Sequence, residues 1–204
     1  MENLTIEDCK YYLQIGDLTR PFLKSDFVEK QVFCDFNHKV AVNKDASLLN
    51  SLINWINHNI HFSNEDSIQK LKFSRTSKEI WESGYASGCT DFALLFCTFA
   101  RQLNIPTTLL HTAEYNWLQN FLHNEYQEVH YGHSFCECFY NNKWILIDPT
   151  CKKITTEYNI AEIELSYIID GNIKFIPYFR GLDLEHKQTT KEHNEKMDKF
   201  CKNL

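Results

Sequence analysis

"SGCTDFALLF", residues Ser87–Phe96, places a cysteine at the start of an apolar run that continues through "CTFARQLNIPT" to Thr107. From Thr90 to Leu103, helical spacing puts Phe92, Leu95, Phe96, Phe99 and Leu103 on one side, while Leu94 and Cys97 keep much of the other side apolar. A helix apolar almost all round is a central one. Asn104 suits the left-handed position past its end, and Pro106 prevents continuation. Cys89 therefore opens a buried helix, where backbone N–H groups lack partners.

The flanks read as further helices and strands. "DASLLNSLINWINHNIHF" (45–62) sets Leu48, Leu49, Leu52, Trp55, Ile56 and Ile60 on one helical stripe, with Asp45 as cap. In "SRTSKEIWESG" (74–84), Thr76 or Ser77 caps a short helix, Ile80 and Trp81 face inward, and Gly84 ends it. "TTLLHT" (107–112) reads as a strand. Residues 113–132 form an insertion in which Trp117, Leu118, Phe121 and Leu122 suggest an amphipathic helix, either a covering element or a substrate wall. Upstream, "FVEKQVFCDF" (27–36) reads as a strand. Downstream, "IAEIELSYIIDGNIKFIPYF" (160–179) offers two strands turning at Asp170-Gly171, and the charged end from Asp183 suggests a surface helix with Met197 and Phe200 inward.

"HSFCECFYNNKWILIDPT" (133–150) is the clearest hairpin, two alternating runs around Asn141-Asn142, which tolerate positive φ. With those two as the turn, Tyr140 faces Lys143, Phe139 faces Trp144 and Phe135 faces Asp148. Side chains alternate along a strand, so His133 and Asp148 share a face as diagonal neighbours, about 7–8 Å apart along the backbone. An imidazole and a carboxylate meet there.

A free thiol near pKa ~8.5 is only about 3% thiolate at pH 7, and a helix N-terminus supplies ~0.3–1 kcal/mol, less than one pKa unit. A strongly activated cysteine needs roughly 6 kcal/mol, so an adjacent imidazolium must supply most of it. His133 is the expected base for Cys89, with Asp148 fixing the ring. The Cys89 N–H is the natural oxyanion donor and Trp81 a candidate second one. Trp117, Tyr131 and Phe135 are candidate substrate-wall residues.

With these residues in place, "GCTDFALLFCTFARQLNIPT" followed by "GHSFCECFYNNKWILIDPT" resembles the core of the transglutaminase-like superfamily of papain-fold cysteine enzymes, as a bacterial-type core domain. In that family the Cys opens the central helix, the His begins a strand, and the Asp of Asp-Pro-Thr ends the next. Those are Cys89, His133 and Asp148 here, with Asp91, the Leu-Phe of the helix, Ile105-Pro106 and Trp144 as matching spacers. Asn104 stands where the family commonly has Gly, and Phe135 where it often has Trp. The resemblance covers about residues 45–152.

It implies an α+β fold, a papain-like core whose central Cys-bearing helix packs on an antiparallel sheet carrying His and Asp. Residues 1–204 are then expected to form a single domain, the N-terminal segment and the C-terminal extension packed on that core. It also implies action on an amide through a thioester, in a superfamily that includes crosslinking acyltransferases, proteases, deglycosylating amidases and inactive copies. Hydrolysis of a peptide or protein amide is the expectation, with acyl transfer and a catalytically silent binding module as alternatives.

Composition narrows the setting. With 204 residues, 43% hydrophobic, the chain can bury one substantial core. The net charge of −6 comes without a Lys/Arg cluster, so no nucleic-acid partner is expected. The opening "MENLTIEDCKYYLQIGDLTR" is charge-interrupted, with no h-region or spanning segment, so no membrane partner and a cytoplasmic location are expected. Eight cysteines (9, 34, 89, 97, 136, 138, 151, 201) read as reduced thiols, all but Cys89 in the core, save for Cys201 at the surface. His111, His123, His130 and His133 with Cys136 and Cys138 raise a zinc site, but no pair has finger spacing and His133 cannot serve twice. No metal or other cofactor is expected, and no acidic calcium loop is present.

Overall fold

Asn141 and Asn142 both adopt left-handed backbone, φ 52° and 60°, as the two-residue hairpin turn requires. They join β4 (Gly132–Tyr140) to β5 (Lys143–Asp148) in the expected register, with Tyr140 opposite Lys143, Phe139 opposite Trp144 and Cys136 opposite Ile147. The structure is a computed structural model describing residues 6–38, 47–123, 129–156, 167–169, 173–184 and 186–203.

The helices are α1 (Ile6–Tyr11), α2 (Ser25–His38), α3 (Ser47–Asn59), α4 (Asp66–Gln69), α5 (Ser77–Ser83), α6 (Cys89–Gln102), α7 (Tyr115–Leu122) and α8 (Thr190–Cys201). The remaining strands are β1 (His61–Phe62), β2 (Tyr85–Ala86), β3 (Thr107–Glu114), β6 (Lys153–Thr155), β7 (Tyr167–Ile169) and β8 (Ile173–Gly181). One antiparallel sheet runs β6-β5-β4-β3-β8-β7, and β1 pairs with β2 separately.

Both faces of the sheet are covered, which is why its strands are apolar at both parities. Leu109, Cys136, Cys138, Ile145 and Ile147 join α3 and α6 in the main core. Leu110, Phe135, Trp144, Leu146 and Phe175 form a second layer with Tyr12. The central helix is buried as its composition demands: Leu94, Leu95, Phe96, Cys97 and Phe99 are all 0% exposed. Its chain exit uses Asn104 at φ 59°. Thr76 caps α5 through a reciprocal pair with Glu79, and Gly84 ends it at φ 71°.

Three sequence expectations are corrected. Residues 27–36 are helical, because Val28 and Val32 repeat at i, i+4 and are both 0% exposed in the core beside α3; burial on one helical stripe overrides their β-branched preference. Cys201 is buried, inside a cluster of Trp117, Leu118, Ile176 and Met197. Cys34 and Cys151 are exposed, and Cys9 is half-buried. All eight cysteines are free. The Asp45 cap and the turn at Asp170-Gly171 lie outside the described residues. No described helix is long and apolar enough to cross a membrane.

Candidate active site

Cys89 is the first residue of α6, and its approach is fixed by a buried carboxylate. Asp91 Oδ2 accepts from the Ser87 N–H and hydroxyl, both at 2.7 Å, and from Arg75 Nη2 at 2.5 Å. The side chains of Arg75 and Asp91 are 5% and 1% exposed. Asp91 reaches back over Gly88 as a capping side chain does, so the turn carrying Cys89 is tied to the loop before α5.

The hairpin delivers the other two groups. His133 Nε2 lies 3.0 Å from Asp148 Oδ2, and Asp148 Oδ1 accepts the N–H groups of Thr150 and Cys151 at 3.0 and 2.9 Å. Asp148 is thereby held from both sides. Nε2 is committed to Asp148, so Nδ1 is the nitrogen left for the Cys89 sulfur, which lines the same cavity. The ring rests edge-to-face on Phe135 at 4.7 Å.

Burial works against charge on Cys89, yet the hydrogen bond and charge of His133, followed by hydrogen bonds from Ser134, bring the thiol down to about 7. Burial likewise opposes the imidazolium, but Asp148 and Cys89 raise His133 to about 10. Burial would raise Asp148, but the bond and charge of His133, together with the hydrogen bonds from Cys151, outweigh it and hold the carboxyl below its ordinary range. At neutral pH the arrangement favours a thiolate against an imidazolium against a carboxylate.

His133 needs the glycine before it. A Cβ on Gly132 would stand 2.4 Å from the Thr112 carbonyl oxygen, across the β3–β4 pair. Gly132→Ala must push β4 away from β3 one residue from the imidazole. The expected result is a loss of ~1–3 kcal/mol in denaturant unfolding and slower Cys89 alkylation at pH 7, measured on the same sample. Unchanged alkylation would show that the close approach does not position His133.

The remaining sequence candidates divide. Trp81 packs among Phe22, Trp55 and Phe99, at 6.4, 4.8 and 5.1 Å between ring centroids. Phe99 lies ten residues beyond Cys89, about 15 Å along the helix axis, and Trp81 packs with it in the aromatic core. Trp117 is 2% exposed and stacks on Phe121 at 5.2 Å, so α7 is a covering helix. Phe135 is 0% exposed and supports the His133 ring from beneath instead of forming a substrate wall. Tyr131 is 57% exposed, two residues before His133.

Among the described residues, the ring nitrogens of the histidines considered for zinc do not converge on one point. His111 Nδ1 pairs with Ser134 Oγ at 2.8 Å, His130 Nε2 with Asp198 at 2.7 Å and His123 with the Gln119 carbonyl at 2.7 Å. Among the described residues, the group whose ligand atoms come close, within 4.8 Å of one another, is His133, Asp148 and Cys151. Burial and the Asp148 charge hold Cys151 up at about 11, so binding a metal there must displace a proton as well as the His133–Asp148 bond.

Sequence reasoning passed over Arg75, Gly132 and Ser134, and weighed His111 only as a zinc ligand. Only Gly132 left a signal, its place directly before His133.

Residues 35–149 match the family described as the transglutaminase-like superfamily. A solved structure from Cytophaga hutchinsonii, provisionally called a cysteine protease, is similar with a TM-score of 0.46 at 16% identity. The match covers 83% of this chain and 48% of that one, so this chain spans about half its length. No curated protein matches the sequence.

Proposed function

The family match spans more than half of the chain, so this protein belongs to the transglutaminase-like superfamily, and on that premise we propose that it is a cysteine-dependent amide hydrolase using Cys89, His133 and Asp148. One observation carries the reading: His133, bonded to Asp148, shares a cavity with Cys89 and is the strongest influence drawing its thiol down.

The Cys89 thiolate attacks the carbonyl carbon of a peptide or protein amide, with the Cys89 N–H at the helix start receiving the oxyanion. The C–N bond breaks as the His133 imidazolium gives its proton to the leaving amine. A thioester remains on Cys89. Neutral His133 then takes a proton from water, whose oxygen displaces the thiolate and releases a carboxylic acid. Asp148 holds the ring so that one nitrogen faces sulfur throughout.

Hydrolysis is taken over transfer to an amine because the aromatic side chains of α7, Trp117 and Phe121, do not line the cavity beside Cys89; its aromatic lining is Phe73 and Tyr178. We also take residues 1–204 as one domain. Arg101 on α6 donates to the carbonyls of Tyr12, Thr107 and Leu182, tying both terminal segments to the central helix.

Mass-spectrometric trapping of an acyl group on Cys89 from a cell extract, absent in Cys89→Ala, is the direct test and identifies the donor. The pH dependence is a second. Alkylation by iodoacetamide follows the thiolate, so at Cys89 it rises through about pH 7 and then levels, while exposed Cys151 follows a thiol near 11. Turnover falls below about pH 7 as Cys89 gains a proton and above about pH 10 as His133 loses one. Cys89 labelling no faster than Cys151 at pH 7 would sink the enzyme reading.

A further inference from the structure

A cavity of about 250 Å³ opens beside Cys89 and runs to Lys72, His111 and His193. Apart from Cys89 and Tyr178, its ionisable lining is basic. Lys72, His111, His130, His133 and His193 line it, and among the described residues no Asp or Glu does. Asp148 and Asp198 stand behind two of these imidazoles, each bonded to one. Burial holds His111 and His193 neutral, and His130 and His133 face Asp198 and Asp148, so Lys72 is the cation of the lining left to attract an anion.

Two of these groups are set up to hold a ligand. Lys72 is half-buried, and its Cε lies 3.6 Å from where a Gly88 Cβ would stand, so the ammonium sits against the turn that carries Cys89. Its Nζ is 5.2 Å from the Phe73 ring centroid, and no described carboxylate pairs with it. Phe73 itself is left-handed at φ 63°, a costly conformation for a bulky residue. It is held there with its ring stacked 3.7 Å from His193, so the wall bearing Lys72 is fixed.

His111 is the second group. It is 3% exposed, its Nδ1 is bonded to Ser134, and its Nε2 is buried without a partner. The ring faces His193 at 5.0 Å on the cavity side. A buried polar atom without a partner costs about 1–3 kcal/mol, which a ligand atom recovers. An anion selects the tautomer with hydrogen on Nε2, and the Ser134 hydroxyl then donates to Nδ1.

We propose that Lys72 and the His111 Nε2–H form a carboxylate-binding subsite beside Cys89, so that the enzyme selects amides carrying a carboxylate close to the scissile carbonyl. This rests on Cys89 being the nucleophile. The carboxylate comes from an acidic side chain or from a free chain terminus, and both present the same two oxygens.

Iodoacetate and iodoacetamide separate the two questions, because in both the thiolate displaces iodide to form the S–C bond and only one reagent carries a carboxylate. The readout is the ratio of the two alkylation rates at Cys89, normalised to that at exposed Cys34 in the same sample. We expect a ratio favouring iodoacetate that falls about fivefold in Lys72→Met and in His111→Asn, the latter keeping a nitrogen toward Ser134 while removing Nε2. A ratio moved less than twofold by both variants overturns the subsite and leaves the nucleophile standing. Cys89 reacting no faster than Cys34 with either reagent overturns both. Protection from iodoacetamide by N-acetylglutamate diamide's acid counterpart, N-acetyl-Glu-amide, assigns the site to a side-chain carboxylate, and protection by acetyl-Ala-Ala with a free terminus assigns it to a chain end.

Discussion

His133→Gln moves the inflection of Cys89 alkylation from about pH 7 to above ~8.5 and slows the reaction at pH 7 about tenfold. The sign follows from the balance at the thiol. Burial alone disfavours the thiolate, and His133 is the largest opposing influence, so removing the imidazolium leaves burial dominant. The thiolate share at pH 7 drops from about half to 3% or less, and the greater nucleophilicity of a more basic thiolate returns part of the loss. Turnover falls further, by ~10³-fold or more, since the general acid is lost with the charge. An inflection that stays near 7 would assign the activation to Ser134 and the helix N-terminus, and the role given to His133 would be wrong.

Arg75→Met destabilises the fold by ~3–5 kcal/mol in denaturant unfolding, because it strands Asp91 as a buried charge. Asp91 keeps its two bonds from Ser87 but loses the guanidinium at 2.5 Å. The double variant Arg75→Met with Asp91→Leu recovers most of that stability, as replacing a buried pair by apolar side chains commonly does. Its Cys89 does not recover fast alkylation, because the Ser87 anchor goes with the carboxylate. A loss under ~1 kcal/mol in the single variant, or full reactivity in the double one, would show that the pair does not hold the Cys89 turn.

How far the site was legible follows from which contacts are local. The β4–β5 register is set by a two-residue turn, so a sum of residue numbers was enough to put His133 beside Asp148. The caps of α5 and the end of α6 are similarly short-range. Residues 27–36 misled because β-branched residues and a short apolar run look alike in a strand and in a buried helix, and only packing beside α3 separates the two. The packing of Trp81 was hidden for a related reason. Nearness to Cys89 in sequence says nothing of where its ring packs, and Trp55 and Phe99 take it into the core.

The sequence by itself determined the central helix, the cysteine at its mouth and the histidine–aspartate face of the hairpin, because helical period, strand alternation and turn chemistry act over a few residues. Only the tertiary structure decided that the thiol meets the imidazole, that Arg75 crosses to Asp91, and that Lys72 and His111 share one cavity with Cys89. Each of those contacts joins segments whose separation along the chain carries no periodic signal, and burial fixes their partners only once the core has closed.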